Sequence, residues 1–528
     1  MKRICSFVFG LCLLGMSTAQ AQSLSPSTKW HWNEGQIVVD TPTLPAGQQT
    51  AVGLTRDKMD CVRIGFAGLG MRGQSAVDRM CFVYGTQTVA LCDYDEARAG
   101  ESQKSLRENG LPPATIYSGE YGYQDMCQRD DIDLIYIATD WEHHFPIAKY
   151  ALEHGKNVAV EVPAAMNLEQ CWTLINLAES KRLHCIILEN CCYDWYEMTA
   201  LNMAQQGVFG EVLRAEGAYI HTLDPYWDEY WKNPNDTDKL GWRMKYNMEN
   251  RGDVYPTHGL GPVAQALNIH RGDRFTTLVA MDTKSVHGKE FVEAKTGRPC
   301  ENFRNGDHTT TLLRTAQGKV VEIQHNVMNS QPYNRLYKLT GTKAYCTKYP
   351  ESRYSMSSDN WRAIGLQTDK EMSGHSFLPS DMQKELEAKF EHPILKKYGA
   401  MAKEVGGHGG MDYIMDSRLI YCMLNGLPLD IDVYDLAEWC CLAELGSLSM
   451  DNNCASVAVP DFTRGHWQDK PAYRHAYATP QQEAETEAKA REITRLLKEN
   501  TVKNKLWEKY DKAVEKSKKK ALKKNNKQ

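Results

Sequence analysis

Three glycines with the spacing Gly-x-Gly-x-x-Gly, at Gly68, Gly70 and Gly73, form the clearest chemical motif of the chain. They follow a short apolar run, and a segment with helical spacing comes after them. This is the strand, turn and helix order of a dinucleotide site. Glycines here let the backbone approach a pyrophosphate, whose charge then faces the helix N-terminus. The sequence therefore predicts a phosphate-binding turn at residues 68–73.

The acid that such a site uses to hold the adenosine ribose is Asp93. It lies 25 positions after Gly68 and directly follows a second apolar run at residues 88–92. A carboxylate accepts hydrogen bonds from ribose hydroxyls, whereas it would repel the 2′-phosphate of NADP. The predicted cofactor is therefore NAD.

Three further segments follow apolar runs, and ligands of a doubly wound sheet bind at the carboxyl ends of its strands. The first segment contains Trp141, Glu142, His143 and His144. Adjacent histidines on a loop point apart, so we predict no metal site there. Two roles stay open for this segment, namely contacts to the ribose or nicotinamide and capping of a helix.

The other two segments are Glu161-Val162-Pro163 and the stretch from Asn190 to Tyr193. Val162 can neither transfer a proton nor stabilise an alkoxide. Asn190 could donate a hydrogen bond to the nicotinamide, and Tyr193 could project into the cleft. For Cys191 and Cys192, which lie between them, packing is the preferred interpretation.

In the second half of the chain, His258 is the leading candidate for a general base. It lies at the start of a helix-like run, where the positive end of the helix keeps an imidazole neutral. Tyr255 could share its site, although a capping histidine fits the pattern equally well. Arg243 could anchor a substrate oxygen or pair with an acid. His408, between two pairs of glycines, is a further candidate or a turn residue.

The elements that must position these residues are of two kinds. Strand and helix patterns alternate through residues 60–205, which predicts an N-terminal doubly wound Rossmann domain. Closely spaced strand patterns with long loops follow at 206–467 and predict a C-terminal α+β domain with an open, mostly antiparallel sheet. Residues 22–59 are expected to form an arm, and residues 480–528 a lysine-rich helical tail whose charges are solvated.

Composition is that of a globular enzyme. The 528 residues are 42% hydrophobic and 24% charged, and nothing in this balance suggests a nucleic-acid partner. A chain of this length is too long for one core. Two of the 16 cysteines lie near the N-terminus, and the other 14 show no zinc spacing. We therefore expect buried free thiols rather than a disulfide framework.

The N-terminus has the pattern of a cleaved signal peptide at residues 1–21. Lys2 and Arg3 precede an apolar stretch, and Ala19-Gln20-Ala21 forms the cleavage site. Cleavage would change the formal charge from −5 to −7. No later segment is long and apolar enough to span a bilayer. We expect an exported, periplasmic protein.

Taken together, the motifs resemble the glucose-fructose oxidoreductase/inositol dehydrogenase superfamily. More closely, they resemble glycoside hydrolase family 109, the NAD-dependent α-N-acetylgalactosaminidases. Many sugar dehydrogenases of this architecture have a lysine at the position of Val162, and valine there fits family 109. The strings that carry the resemblance are residues 62–73, 138–144, 158–165, 188–193, 217–221, 241–243, 255–262, 409–415 and 459–465.

The resemblance implies a redox-neutral glycosidase. NAD⁺ accepts a hydride from C3 of the sugar, a base removes the C2 proton, the C1 substituent leaves, water adds at C1, and the hydride returns. NAD-dependent glycosidases need no pair of catalytic carboxylates. The implied cofactor residues, besides the glycines, are Met71, Arg72, Asp93, Trp141, Glu142, His143, His144, Glu161, Val162 and Asn190. The implied sugar residues are Tyr219, Arg243, Tyr255, Pro256, Thr257, His258 and Tyr333.

For proton transfer, the candidates are His258, Tyr255 and Tyr193. The expected partner is a small-molecule or glycan substrate, and a homodimer could form through the second sheet. Two alternatives remain: a sugar dehydrogenase that releases oxidised product, and a non-catalytic sugar-binding protein with structural NAD. Val162 and an exported location without fresh NAD weigh against the first, and the presence of Tyr255 and His258 weighs against the second.

Overall fold

The computed structural model describes residues 29–224, 227 and 240–525. The predicted signal peptide at 1–21 lies outside the described residues. The described chain forms one sheet of six strands and one of ten. It begins with a hairpin of β1 (Trp30–Asn33) and β2 (Gln36–Val39), which belongs to the larger sheet.

The six-stranded sheet carries the glycine turn, and its strands are all parallel. The strands are β3 (Val62–Ala67), β4 (Thr86–Asp93), β5 (Thr115–Ser118), β6 (Leu134–Ile137), β7 (Asn157–Val160) and β8 (Cys185–Ile187). Their order across the sheet is β5-β4-β3-β6-β7-β8. The order reverses between β3 and β6, so a ligand crevice is expected at the carboxyl ends of these two strands. The predicted Rossmann domain is confirmed.

Five helices connect and cover these strands, and a sixth follows the last strand and leads to the second domain. They are α1 (Met71–Met80), α2 (Glu96–Glu108), α3 (Gly122–Cys127), α4 (Trp141–Glu153), α5 (Leu168–Lys181) and α6 (Trp195–Gln205). The side chains of Asp95, Asp140 and Asn167 cap α2, α4 and α5 by accepting backbone N–H bonds. By contrast, α1 begins after Gly70, which offers no side-chain cap.

The larger sheet belongs to the second domain. Its remaining strands are β9 (Val212–Ile220), β10 (Phe275–Asp282), β11 (Thr309–Thr315), β12 (Val320–Asn326), β13 (Lys338–Gly341), β14 (Ala344–Thr347), β15 (Arg353–Met356) and β16 (Val457–Ala458). The order is β1-β2-β16-β10-β11-β12-β9-β13-β14-β15. The pairs β9–β12 and β2–β16 are parallel, and the other neighbours in this sheet are antiparallel. The predicted α+β domain with a mostly antiparallel sheet is thus confirmed.

Part of the expected N-terminal arm is built into this sheet. Strand β2 pairs with β16, and Ile37 and Val39 are buried in the core. The sequence signal for this strand is weak, because β2 has only four residues and polar loops flank it on both sides.

Helices of the second half pack against both sheets. They are α7 (Trp242–Glu249), α8 (Thr257–Ala266), α9 (His287–Thr296), α10 (Ser358–Ala363), α11 (Ser380–Phe390), α12 (Pro393–Val405), α13 (Met411–Asn425), α14 (Val433–Cys440) and α15 (Leu442–Asp451). Helix α13 packs against α1, and α14 packs against α5 and β8. All residues of α13 are buried. The Rossmann domain is therefore covered partly by helices of the second half.

The C-terminal region consists of α16 (Pro480–Lys503) and α17 (Leu506–Asn525). Trp507 attaches α17 to the Rossmann domain, because its indole N–H donates to the Leu111 carbonyl at 3.0 Å. None of the helices in the described residues is long and apolar enough to cross a membrane. The 14 cysteines of the described part are free thiols, and 12 of them are buried.

Candidate active site

The glycine turn at 68–73 has the geometry of a phosphate site. Gly68 has φ +84°, and a Cβ there would lie 2.6 Å from the backbone of Ala138 and Thr139. A Cβ on Gly73 would overlap the carbonyl oxygen of Gly68. At Gly70, however, a Cβ would meet nothing within 4 Å. Two glycines therefore allow the turn to pack on the neighbouring strand end, and the third faces open space.

That open space is suited to an anion. Helix α1 begins at Met71, and no side chain caps its first N–H groups. Uncapped first-turn N–H groups and the helix dipole attract negative charge. The Met71 side chain is itself exposed. The turn thus fits the pyrophosphate of a dinucleotide.

Asp93 ends β4 against this turn. One carboxylate oxygen accepts a bond from the Leu69 N–H at 2.6 Å, and the other accepts from the Asp95 N–H at 2.9 Å. The carboxylate is buried and lies beside the glycine turn, where the sequence predicts a contact to ribose hydroxyls.

Arg72 lies in the first turn of α1 and is held by two acids. Its Nε and Nη2 donate to Glu161 Oε1 at 3.1 and 2.6 Å. Its Nη1 donates to Asp412 Oδ2 at 2.9 Å. Asn190 donates to the other oxygen of Asp412 at 2.6 Å. Four residues from distant parts of the sequence therefore meet at this edge of the sheet.

The segment after β6 divides into different roles. Trp141 is buried, and its indole stacks on Tyr255 at 5.5 Å. His144 is also buried, with its ring nitrogens 2.8 Å from the Pro163 carbonyl and 3.1 Å from the Thr139 carbonyl. Burial lowers the pKa of His144. His144 therefore joins two loops at strand ends. Trp141 links the second domain to the edge of the sheet that carries the glycine turn, which we call the cofactor edge.

Their neighbours Glu142 and His143 are exposed. The His143 ring lies 2.6 Å from the Asp140 carboxylate, so the two adjacent histidines point apart as expected. Val162 is buried and apolar beside Glu161. A contact of these three residues with the cofactor stays a prediction.

The ring of His258 lies between a carboxylate and a tyrosine hydroxyl, an arrangement that is able to transfer a proton. Its Nδ1 lies 2.7 Å from Glu189 Oε1, and its Nε2 lies 3.3 Å from the Tyr255 hydroxyl. Glu189 is fully buried. Burial raises the pKa of Glu189, but the neighbouring His258 more than offsets this, so the pKa lies below its ordinary value. An ionised Glu189 therefore orients the imidazole.

Close backbone packing brings His258 to this place. A Cβ on Gly259 would lie too close to the backbone of Gly217 and Ala218 in β9. Helix α8 therefore lies directly on β9, which carries Tyr219. The Tyr219 ring is 5.5 Å from the His258 ring and 4.6 Å from the Tyr255 ring.

Arg243 lies within these rings. Its guanidinium carbon is 4.9 Å from the Trp141 ring, 4.7 Å from Tyr255 and 5.7 Å from Tyr219. A guanidinium over aromatic faces is favourable and fixes its plane. Burial raises the pKa of Tyr255 well above its ordinary value, so this hydroxyl stays a donor.

Tyr333 lies at the rim of the same group. Its ring is half exposed and meets the His221 ring edge-on at 5.1 Å, and His221 in turn contacts Tyr219 at 5.7 Å. A continuous row of aromatic side chains therefore extends from the protein surface to His258. Pro256 and Thr257 are buried at the start of α8, where they position His258.

Tyr193 does not join this group. It is buried, and its hydroxyl donates to Asp430 at 3.3 Å. Asp430 is paired with Arg418 at 2.7 Å. The side chain therefore points away from His258 towards a structural ion pair, and we drop the expected role of Tyr193 in proton transfer.

A metal site at this centre is disfavoured by charge. Ligand atoms of Glu189, Cys191 and His258 lie within 4.8 Å of one another. However, Arg335 Nη1 lies 2.8 Å from Cys191 Sγ. Its positive charge opposes a cation, and the Glu189–His258 hydrogen bond uses two of the ligands.

The sequence reasoning missed Glu189 and Asp412 as functional residues. Glu189 follows β8 directly, so a carboxylate at a strand end was a usable signal. Asp412 gave no such signal because it lies 340 positions from Arg72.

Comparison with known proteins agrees with this geometry. Residues 62–188 match a model described as an oxidoreductase family with an NAD-binding Rossmann fold. Residues 193–469 match the C-terminal domain of glycosyl hydrolase 109. The chain belongs to glycosyl hydrolase family 109. It is therefore an NAD-binding glycosidase built on an oxidoreductase fold.

Relatives in this family are similar along almost the whole chain. Glycosyl hydrolase family 109 protein 5 of Phocaeicola vulgatus is 62% identical over 507 residues, which cover 96% of this chain and 97% of that protein. Protein 3 of the same organism is 64% identical over 520 residues, covering 97% and 94%. Among solved structures, an NAD-binding oxidoreductase from Klebsiella pneumoniae has the same fold. Its TM-score is 0.56 at 16% identity, covering 76% of this chain and 100% of that one.

Proposed function

We propose that this family 109 protein hydrolyses terminal α-N-acetylgalactosamine, or a related terminal sugar, by a redox-neutral route. The observation that carries the proposal is the line from Glu189 through His258 to Tyr255. It lies beside the cofactor edge, because Tyr255 stacks on Trp141 and Trp141 begins the helix next to the glycine turn. A base at this position suits removal of a proton from a sugar carbon next to an oxidised one.

The residues that would hold NAD are those of the glycine turn together with Asp93, Arg72, Glu161 and Asn190. When bound, NAD supplies reversible hydride transfer at C3, which acidifies the C2 proton while C3 is a ketone. Trp141 is buried between the start of α4 and the rings of Tyr246 and Tyr255, and its bulk helps to exclude water there. A dry site strengthens the electrostatic contacts within it.

His258 takes the C2 proton on Nε2. The Nδ1–H bond to Glu189 fixes the tautomer that leaves Nε2 unprotonated. The Glu189 carboxylate then stabilises the imidazolium that forms, as expected for a buried acid behind a general base. His258 returns the proton to C2 after water has added at C1.

The rings of Tyr219, Tyr255 and Tyr333 provide the sugar-binding face. Arg243 presents a fixed positive charge among them, and we assign it to an oxygen of the sugar. Burial raises the pKa of Tyr255, so its hydroxyl stays protonated and can donate a hydrogen bond to the sugar. These assignments rest on the family resemblance of the sequence and on the positions of the side chains. The proposed export rests on the N-terminal sequence pattern alone.

A sugar dehydrogenase is the second candidate, because the solved structure with the same fold is an NAD-binding oxidoreductase. Val162 weighs against it, since this buried apolar side chain cannot transfer a proton. A single assay distinguishes the two. We expect purified protein to release the aglycone from an aryl α-N-acetylgalactosaminide without accumulation of NADH. NADH or oxidised sugar that appears in step with turnover would instead identify a dehydrogenase.

A third outcome of that assay is that no activity is detected. Protein that retains NAD but releases no aglycone from a broad panel of glycosides would be a sugar-binding protein. The elimination step has its own test, because C2 deuterium should exchange with solvent in the wild type and not in His258→Ala. Cofactor content of protein recovered from the periplasm tests export together with NAD binding.

A further inference from the structure

Asp412 is a buried acid at the start of α13, and it meets the cofactor edge from the second domain. It is fully buried. One oxygen accepts from Asn190 at 2.6 Å, and the other accepts from Arg72 at 2.9 Å and lies 3.5 Å from Arg79. The His408 ring is 2.9 Å from the same oxygen. Two of these partners, Arg72 and Asn190, are residues expected to contact NAD.

The carboxylate of Asp412 is held in its ionised form. Burial alone would raise the pKa of Asp412, but the hydrogen bond from His408 and the charges of Arg72 and Arg79 hold it well below its usual range. A permanent charge is what a fixed contact to a guanidinium requires, since such charge-assisted bonds are stronger than neutral ones.

Arg72 is oriented from both sides. Glu161 accepts from one side of its guanidinium and Asp412 from the other. A free arginine side chain loses rotamer entropy when a ligand fixes it, and two carboxylates that already fix its plane remove this cost before a ligand arrives. Arg72 is in the first turn of α1, beside the predicted pyrophosphate position.

Asn190 is oriented by the same carboxylate. It follows β8, whereas Arg72 follows β3, so one acid fixes side chains at two strand ends. Preorganised contacts raise affinity, because the groups need not be ordered on binding. Such differences in affinity appear mainly in the dissociation rate.

The glycine-rich stretch before α13 allows this approach. Gly407 has φ +82°, and a Cβ there would lie 2.8 Å from the Asp412 Cβ and 2.9 Å from the Arg79 side chain. Gly410 has φ +105°, and a Cβ there would lie 2.6 Å from the Ala402 carbonyl. Side chains at either position would displace the start of α13. The Gly-Gly-His-Gly-Gly motif is thereby explained as a tight turn that delivers Asp412 to the cofactor edge.

We propose that Asp412 is a positioning residue for the cofactor, which orients Arg72 and Asn190 together and so keeps NAD resident in the protein. The inference rests on NAD as the cofactor and not on the proposed sugar or its reaction. A failure of the proposed glycosidase reaction would therefore leave it intact.

The same helix offers a matched control. Asp416 lies one turn further along α13, is also buried, and pairs with Arg79 at 2.9 Å. Its other oxygen accepts from the Tyr136 hydroxyl at 3.2 Å. Among the described residues, Asp416 has no hydrogen bond or ion pair with Arg72 or Asn190. Asp416→Asn thus removes a buried acid that shares Arg79 with Asp412 but contacts neither Arg72 nor Asn190.

The test measures retention of NAD. Wild type, Asp412→Asn and Asp416→Asn are purified as holoenzyme, and the NAD remaining on each chain is followed over time after transfer to NAD-free buffer. Thermal unfolding of each variant reports the loss of stability. We expect Asp412→Asn to release NAD at least about tenfold faster than Asp416→Asn at a similar Tm. Equal release rates in the two variants would overturn the proposal, because they would indicate a general loss of stability.

A second variant keeps the proposal testable if Asp412→Asn does not fold. Arg72 is partly exposed, so Arg72→Gln is expected to fold, and it should also release NAD faster. Retention of NAD as in wild type by Arg72→Gln would contradict the proposal. Where all variants fold, the Asp412→Asn/Arg72→Gln double variant should release NAD little faster than the faster single variant. Fully multiplicative effects would show that Asp412 does not act through Arg72.

Discussion

Glu189 and Asp412 are both buried carboxylates at the same edge of the Rossmann sheet, yet they differ in what neutralises them. Glu189 is paired with the imidazole of His258, whereas Asp412 is paired with the guanidinium groups of Arg72 and Arg79, besides the ring of His408. An imidazole gains and loses a proton near neutral pH, but a guanidinium stays charged. The Glu189–His258 pair is therefore suited to moving a proton, whereas the two guanidinium groups keep Asp412 charged and in place.

Asp253 extends the comparison to a buried acid without a counter-charge. Neither of its side-chain oxygens has a side-chain partner among the described residues, and burial raises its pKa to about 7. The three acids are equally buried, so their partners, rather than burial, explain why the pKa is lowered in Glu189 and Asp412 and raised in Asp253.

The largest effect is expected from His258→Ala, which removes the proposed base. The rate of aglycone release should fall by about 10²–10⁴-fold, the usual contribution of a general base. NAD content should stay that of wild type, because no cofactor contact is lost. Measuring kcat and bound NAD on the same sample checks both. A variant that keeps its rate would remove His258 from the mechanism.

Glu189→Gln keeps the size of the side chain and removes its charge. We expect kcat to fall by about 10²-fold, because the imidazolium loses its stabilising carboxylate and the tautomer is no longer fixed. NAD retention should be unchanged, in contrast to Asp412→Asn. Loss of NAD from Glu189→Gln would erase the distinction between the two acids.

Asp253→Asn should stabilise the protein at high pH. The pKa of Asp253 is raised in the folded state, so the folded protein binds more protons than the unfolded chain between about pH 4 and 7, and stability falls as the pH rises through this window. Replacing the acid by an amide removes this loss. The gain should be on the order of 4 kcal/mol at pH 8 and near zero at pH 4. Urea unfolding at both pH values measures it, and an equal effect at both would rule out titration as the cause.

The smallest effect is expected from Tyr193→Phe. Its hydroxyl contacts Asp430, which keeps both bonds from Arg418. Activity should stay within about twofold, and the free energy of unfolding should fall by about 1 kcal/mol for one buried hydrogen bond. A large fall in kcat at unchanged stability would restore Tyr193 to proton transfer.

Much of the fold follows from the sequence because its signals are local. The alternating strands and helices of the first domain and the closely spaced strands of the second are predicted correctly, since the apolar periodicity of elements such as Leu168–Lys181, Val62–Ala67 and Val320–Asn326 is strong. The strands β1, β2 and β14–β16 are missed. Each is only two to four residues long, too short for a period to stand out.

By itself the sequence determined the glycine turn, its acid Asp93, and a histidine at the start of a helix, because each depends on residues close together in the chain. Only the tertiary structure decided the partners. Glu189 and His258 are 69 positions apart, and Arg72 and Asp412 are 340 apart. Such contacts depend on how α8 and α13 pack against the Rossmann domain, and local periodicity carries no information about that packing. The same packing turned Tyr193 away from the site.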